Sequence, residues 1–296
     1  MVTNSPARLR IAVTGGSGKL GSSVVGRLRS EGHQVLVLDR EGVRGAGYTQ
    51  VDLTDYGQIV DALLGVTGRN YGLDALVHLA AIPSNGDVPD VTVFHHNLTA
   101  TFNLFWAARR AGILRIVYAS SLQAMGAPFV GQFQPRRLPL DETHGGPSNT
   151  YGLVKMVEES IAEQLVAWDS GLSMTGLRFA RVVAPDEYPR LARTPDPSLR
   201  DGLGAYVDSR DAAQAVSLAL ASATAGHRVF AIAAPESNVD TPTAEVAARW
   251  FPGVPVDPAL GGFDALVSTA KARRELGFVA AHDWRTELGA ASATEV

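Results

Sequence analysis

The sequence predicts a doubly wound α/β fold, a parallel sheet sandwiched between helices. Three observations point there. Short apolar runs alternate with segments of helical periodicity from residue 9 to residue 233. The first run leads straight into a glycine cluster, Gly15-Gly16-Ser17-Gly18. A chain of 296 residues, 46% hydrophobic and 19% charged, also has the length and composition for a large buried core.

Residues 9–13 (LRIAV) read as a strand buried on both faces. Over 19–30, Leu20, Val24, Val25 and Leu28 recur at helical spacing, and Gly32 stops the helix. Residues 34–38 (QVLVL) form the second strand, followed by a helix over 56–64 and a strand over 75–79. A long helix is predicted over 90–111, a strand over 115–119 (RIVYA), a helix over 150–168 and a strand over 172–179. Thr194-Pro195-Asp196-Pro197 marks a loop within the aperiodic stretch 184–204. Beyond it come a helix over 208–221, a strand over 228–233 and a mixed piece rich in Pro and Gly. Parallel strands need crossovers, and helices supply them, so this alternation implies a parallel sheet.

Composition excludes several functions. A net charge of −4 and a pI near 6.0 provide no basic field for nucleic acid or an anionic membrane. The absence of cysteine removes disulfides, thiolate catalysis and cysteine-bound zinc. The seven histidines have no metal-ligand spacing, and adjacent His95 and His96 diverge on a helix, so no metal is expected. No apolar run approaches the ~20 residues of a membrane helix. Residues 1–10 lack the apolar centre of a signal peptide, and a cytoplasmic location is expected.

Gly15, Gly18 and Gly21 lie between a predicted strand and a predicted helix. There one glycine makes a tight turn, one admits a pyrophosphate, and one lets helix and strand pack closely. The helix N-terminus, with Lys19 and Leu20, offers unpaired N–H groups and partial positive charge to the anion. Asp39 closes the second strand 18 residues after Gly21. A carboxylate there accepts from ribose hydroxyls and repels a 2′-phosphate, favouring NAD. Arg40 beside it keeps NADP open. Asp52 and Leu53 are candidates for the adenine end, and Leu79, Ala80 and Ala81 for a close backbone passage.

Tyr151 and Lys155 are four apart at the start of a predicted helix, so they share a face. The chain has seven tyrosines and three lysines, which makes this pairing rare by accident. Ser120 and Ser121 follow a strand at the carboxyl edge where such sheets hold ligands. A phenol titrates near ~10, too high for a base at neutral pH, and an adjacent ammonium favours its ionised form. Tyrosine can then exchange the hydroxyl proton while serine holds the reacting oxygen.

Residues 14–21, the Tyr151-x-x-x-Lys155 pair and the serine pair resemble the extended short-chain dehydrogenase/reductase superfamily, the NAD-dependent epimerase/dehydratase family. The resemblance covers most of the chain. It implies a Rossmann-type doubly wound parallel sheet with a small C-terminal substrate-binding subdomain. The dinucleotide-binding domain would span 8–180 and the smaller region 181–296, with 206–234 returning to the core. It also implies Ser121, Tyr151, Lys155 and Asn97 as catalytic, with Tyr151 and Lys155 also on the nicotinamide ribose. A homodimer packed through the Asn97 and Tyr151 helices is a further expectation.

The departures narrow the reaction. Where dehydratases of the family carry Asp-Glu, this chain has Leu122-Gln123, which disfavours water elimination. Met125 stands where epimerases usually show tyrosine, and Val154 where many members have serine. Only 27 residues separate Arg178 from Tyr206, short for a nucleotide-diphosphate insert. Compact members such as uronate dehydrogenases are the better likeness. Ser120, Gln123, Arg181 and Arg190 are candidate substrate contacts, with Arg193 and Arg200 further along the loop. Hydride transfer with a small polar alcohol or ketone is the leading expectation. A sugar or nucleotide-sugar epimerase with tightly held NAD and a non-catalytic dinucleotide-binding regulator are the alternatives.

Overall fold

The computed structural model describes residues 8–43, 45, 47–66, 72–83, 86–129, 134–191 and 202–294. Its strands are β1 (Arg10–Thr14), β2 (Gln34–Asp39), β3 (Tyr48–Gln50), β4 (Ala75–His78), β5 (Arg115–Ser121), β6 (Ser173–Phe179), β7 (Arg181–Val183), β8 (Tyr206–Asp208) and β9 (Gly226–Ile232). The helices are α1 (Lys19–Ser30), α2 (Tyr56–Leu64), α3 (Asp90–Arg110), α4 (Thr150–Trp168), α5 (Tyr188–Leu191), α6 (Ser209–Ala221), α7 (Thr243–Trp250), α8 (Ala270–Leu276) and α9 (Trp284–Thr294). Seven strands form one parallel sheet in the order β3-β2-β1-β4-β5-β6-β9, and β7 pairs with β8 separately. The doubly wound α/β class is the one expected.

Strand alternation sorts the core into two layers. Val13, Val77, Val117 and Leu177 face α1 and α6, joining Val24, Leu28, Ala212 and Val216. Their neighbours Ala12, Leu76, Ile116 and Met174 face α2, α3 and α4, joining Ile59, Leu104, Phe105 and Leu165. Both layers exclude water, which is why the strands read as continuous apolar runs. Burial of such side chains contributes ~1.5–3 kcal/mol each.

The first layer continues into Val246, Phe251, Leu266 and Phe278 of the C-terminal region. Leu138 and Leu140, from the connection between β5 and α4, bridge to Val256 and Val267. That connection is therefore tied to residues more than a hundred positions later. No helix among the described residues is long and apolar enough to cross a membrane.

Strand order reverses around β1, which is flanked by β2 and β4. Chains leaving the carboxyl ends of β1 and β4 diverge to opposite sides and open a crevice there. The glycine loop, Asp39 and the residues after β4 line it.

Candidate active site

β1 ends at Thr14 and turns at Gly15, whose φ is 69°. Its N–H donates to the Leu38 carbonyl at 3.1 Å. A Cβ on Gly15 would lie 2.6 Å from the Ala80 nitrogen, and one on Gly21 would lie 2.0 Å from the Gly15 carbonyl oxygen. Both glycines are demanded by close backbone packing. Gly18 differs. A Cβ there would meet nothing nearer than 3.4 Å, yet the residue lines the adjoining cleft. Its glycine leaves room for a ligand rather than for the protein. Gly18 is also the N-cap of α1, and no side chain caps that helix. Its first N–H groups are left for an anion.

The cleft measures about 740 Å³. Gly15, Gly18, Asp39 and Arg40 line it, as do Leu53, Leu79, Ala80 and Ala81. Asp39 accepts from the Ser17 N–H at 3.0 Å and from the Arg40 N–H at 2.8 Å, which fixes its carboxylate at the end of β2. Ser17, Ile82, Pro83 and His96 line the cleft too. Ile82, Pro83 and His96 were missed because only the fold brings the end of β4 and α3 beside the glycine loop, and Ser17 because the glycine spacing singles out only its neighbours.

Some expected contacts lie elsewhere. Lys19 projects away from the cleft to Glu187 at 2.7 Å, which, after burial is offset, helps hold that carboxyl below its usual range. Leu20 packs against the core, and Gly21 serves the loop. Asp52 does not line the cleft. Its carboxylate accepts from the Thr54 N–H and hydroxyl at 2.8 and 2.7 Å, and these bonds lower its pKa.

Ser121 is the last residue of β5, two residues beyond the expected end. Its hydroxyl accepts from the Gln123 N–H at 3.2 Å and caps the 3-10 turn Leu122–Met125. α4 abuts that turn. A Cβ on Gly152 would lie 2.5 Å from the Gln123 carbonyl oxygen, so only glycine allows this close approach of α4, one residue after Tyr151, to the turn. Asn149 starts the helix by accepting from the Gly152 N–H at 2.8 Å. The Lys155 ammonium lies 5.5 Å from the centre of the Tyr151 ring. It also pairs with Glu158 at 2.8 Å, both side chains being almost fully buried. Burial opposes its charge, but Glu158 and Tyr151 outweigh this and raise the Lys155 pKa. Ser121, Tyr151 and Lys155 are not among the residues lining the cleft.

Other candidates receive different placements. Ser120 points to the opposite face from Ser121, as strand alternation requires. It is buried and donates to Glu159 at 2.5 Å, and Glu159 also accepts from Arg178 at 2.7 Å, so Ser120 is no substrate contact. Asn97 is buried on α3. Its amide accepts from the Ile82 N–H at 2.8 Å and donates to the Ile82 carbonyl at 2.9 Å, clamping the cleft segment after β4. Gln123 keeps its side-chain oxygen buried without a partner among the described residues. Arg181 and Arg190 are exposed on β7 and α5. Arg193 and Arg200 lie outside the described residues, as does the loop at 194–197. Among the described residues, no group of three or more His, Asp or Glu could hold a metal.

The family model "NAD dependent epimerase/dehydratase family" matches residues 11–233. Among curated proteins, the UDP-glucose 4-epimerase of Bacillus subtilis is 29% identical over 64% of this chain and 57% of its own length. That of Lactobacillus helveticus is 31% identical over 59% and 52%. The chain thus spans about half the length of these relatives. The UDP-glucose 4-epimerase of Corynebacterium glutamicum is 27% identical over 94% of this chain and 93% of its own. Among solved structures, a short-chain dehydrogenase/reductase superfamily protein of Agrobacterium tumefaciens with bound NAD has a TM-score of 0.74 at 23% identity, covering 97% of both chains. UDP-N-acetylglucosamine 4-epimerase of Bacillus cereus has a TM-score of 0.69 at 24% identity, covering 95% of this chain and 96% of that one.

Proposed function

The chain belongs to the NAD-dependent epimerase/dehydratase family, and from that premise we propose that it transfers hydride between NAD and a secondary alcohol or ketone of a small, polar, sugar-like substrate. The observation that carries this reading is the Lys155 ammonium held under the Tyr151 ring, on a helix pressed against the turn that Ser121 caps. NAD supplies the hydride acceptor. The chain's residues do the rest. The backbone of Gly15 and Gly18 and the uncapped start of α1 take the pyrophosphate, and Asp39 accepts from the adenosine ribose. Ser121 donates to the substrate oxygen, Tyr151 removes or returns the hydroxyl proton, and the Lys155 charge favours the phenolate.

Compactness supports a small substrate. Residues 184–205 are all that join β7 to β8. The Corynebacterium alignment runs over 326 positions, longer than this 296-residue chain, so it opens gaps in this chain, which is the more compact of the two. Arg181 and Arg190, exposed on β7 and α5, are proposed to meet an anionic group of the substrate. The names of the curated relatives favour a second reading, a UDP-sugar 4-epimerase that returns the hydride to the other face. One assay separates them. Purified protein is mixed with NAD and a panel of sugars, sugar acids, polyols and UDP-sugars, and the reduced-nicotinamide absorbance and the sugar products are followed. Net growth with one alcohol establishes the dehydrogenase. A flat trace, with UDP-sugar interconversion and NAD released on denaturation, establishes the epimerase.

The protein is also proposed to form a homodimer. Val91 and Phe102 on α3 and Leu153 and Trp168 on α4 are exposed, on two helices packed side by side. Burying this apolar surface against a second copy would favour association.

A further inference from the structure

Lys155 is set more deeply than contact with a cofactor requires, at 2% exposure, against a carboxylate at 1%. A line of hydrogen bonds leads away from this pair. Glu158 Oε2 accepts from Lys155 Nζ at 2.8 Å, and Oε1 accepts from the Thr101 hydroxyl at 2.9 Å. Thr101 Oγ1 lies 3.0 Å from His78 Nε2, and His78 Nδ1 lies 2.7 Å from Thr14 Oγ1. The Ala80 N–H approaches Thr14 Oγ1 at 3.4 Å.

Chemistry fixes the direction of each bond. An ionised carboxylate only accepts, so Thr101 gives its proton to Glu158. The Thr101 oxygen then accepts, so His78 carries its proton on Nε2. Burial pushes the His78 pKa down to about 3, which leaves the ring neutral and Nδ1 an acceptor. The Thr14 hydroxyl therefore donates to Nδ1 and accepts from Ala80. The bonds from Ala80 to Glu158 run one way, from the wall of the dinucleotide cleft to α4, and meet the Lys155 donor at the Glu158 carboxylate. The far end is a backbone amide, which does not shuttle protons at neutral pH. The line orients groups and carries no proton.

We propose that Glu158 is the positioning residue of Lys155, anchoring its ammonium beside Tyr151, with its carboxylate held from the other side by a line of hydrogen bonds that starts at Ala80. The proposal rests on the Tyr151/Lys155 chemistry argued above and names what holds it. The titratable groups facing Lys155 are Tyr151, Glu158 and Glu159 on α4 and His78 on β4. Glu159 is engaged by Arg178 and Ser120, and His78 is neutral. That leaves Glu158 to balance the buried charge. Neither the glycine loop nor the Tyr-x-x-x-Lys spacing requires an acid at this position.

The chain has only three lysines, Lys19, Lys155 and Lys271. Full-length protein labelled with carbon-13 at the lysine ε position therefore gives three resonances, assigned with Lys19→Gln and Lys271→Gln variants. In the unaltered protein the Lys155 resonance should stay in its charged form beyond pH 10.5, the ordinary lysine value. In Glu158→Gln it should titrate lower by about one unit or more, a tenfold or greater loss of proton affinity. Thr101→Val, which keeps the carboxylate and cuts the line, should move it less. In each variant the alkaline limb of the kcat profile should follow the Lys155 resonance, with kcat changing more than the KM for NAD. Release of the Lys155 proton below the ordinary range in the unaltered protein overturns the proposal, even should Glu158→Gln fail to fold. Identical titrations in protein and variant overturn it as well. Absence of turnover with every alcohol would count against the enzymatic reading alone, since the resonances need no substrate.

Discussion

Glycine at 15, 18 and 21 looks like one motif, yet the three positions answer to different forces. Gly21→Ala drives a methyl into the Gly15 carbonyl, 2.0 Å away, and should destabilise the fold by a few kcal/mol. Gly18→Ala meets no protein atom closer than 3.4 Å and should cost about 1 kcal/mol or less, as an N-cap change, while NAD affinity falls. Calorimetry of unfolding and of NAD binding on both variants checks the contrast. Equal destabilisation would show that Gly18 serves packing. At Tyr151, replacement by Phe should lower turnover ~10²–10⁴-fold with NAD still bound. Near-normal turnover would remove the mechanism. Asp39→Ala should weaken NAD and relieve the exclusion of NADP, measured by titrating both dinucleotides. These residues were legible because each is named by spacing along the chain. Ser120 was not. It was paired with Ser121 by adjacency, but a strand sends neighbours to opposite faces.

Helices were legible where their ends carry chemical signals. α2 begins at an Asp55 cap that accepts from Gln58 and ends at Gly65 in the left-handed region, so its bounds match expectation. β3, β7 and β8 were not foreseen, because three residues are too few to show a period. α4 carries Tyr151 and Lys155 of the proposed mechanism, and its start is capped by Asn149. Asn149→Ala should cost about 1 kcal/mol and lower kcat more than stability alone accounts for, since Tyr151 sits in the frayed turn. Thermal unfolding beside steady-state kinetics tests this. For the α3 and α4 faces, sedimentation should find a dimer, and Phe102→Glu with Trp168→Glu should give a monomer. A monomeric unaltered protein at micromolar concentration would sink the dimer.

For the whole molecule, buried histidines set the acid limit. Burial lowers the pKa of His78, His144 and His227. For His78 the fall is from 6.5 to about 3. The unfolded chain takes up that proton first as the pH drops. The stability is thus fully present above 6.5 and is lost as the pH falls toward 3, on the order of several kcal/mol from His78. Asp208, hydrogen-bonded by Arg210 strongly enough to offset its burial, acts with the same sign at lower pH. The urea midpoint should therefore drop between pH about 7 and about 4.5. A constant midpoint would mean that His78 is not buried as a neutral ring.

By itself the sequence determined the layer order, the glycine loop, the Tyr151/Lys155 pair and Ser121, because these follow from periodicity and fixed spacing along one element. Tertiary structure alone decided that Asp52 turns to Thr54, that Lys19 reaches Glu187 and that Asn97 clamps Ile82. It alone brought Thr14, His78, Thr101 and Glu158 into one line, from β1, β4, α3 and α4. The physical reason is the same in each case. A buried polar group must find a partner, and the partner is chosen by which elements the fold brings within about 3 Å, at separations along the chain that no local spacing records.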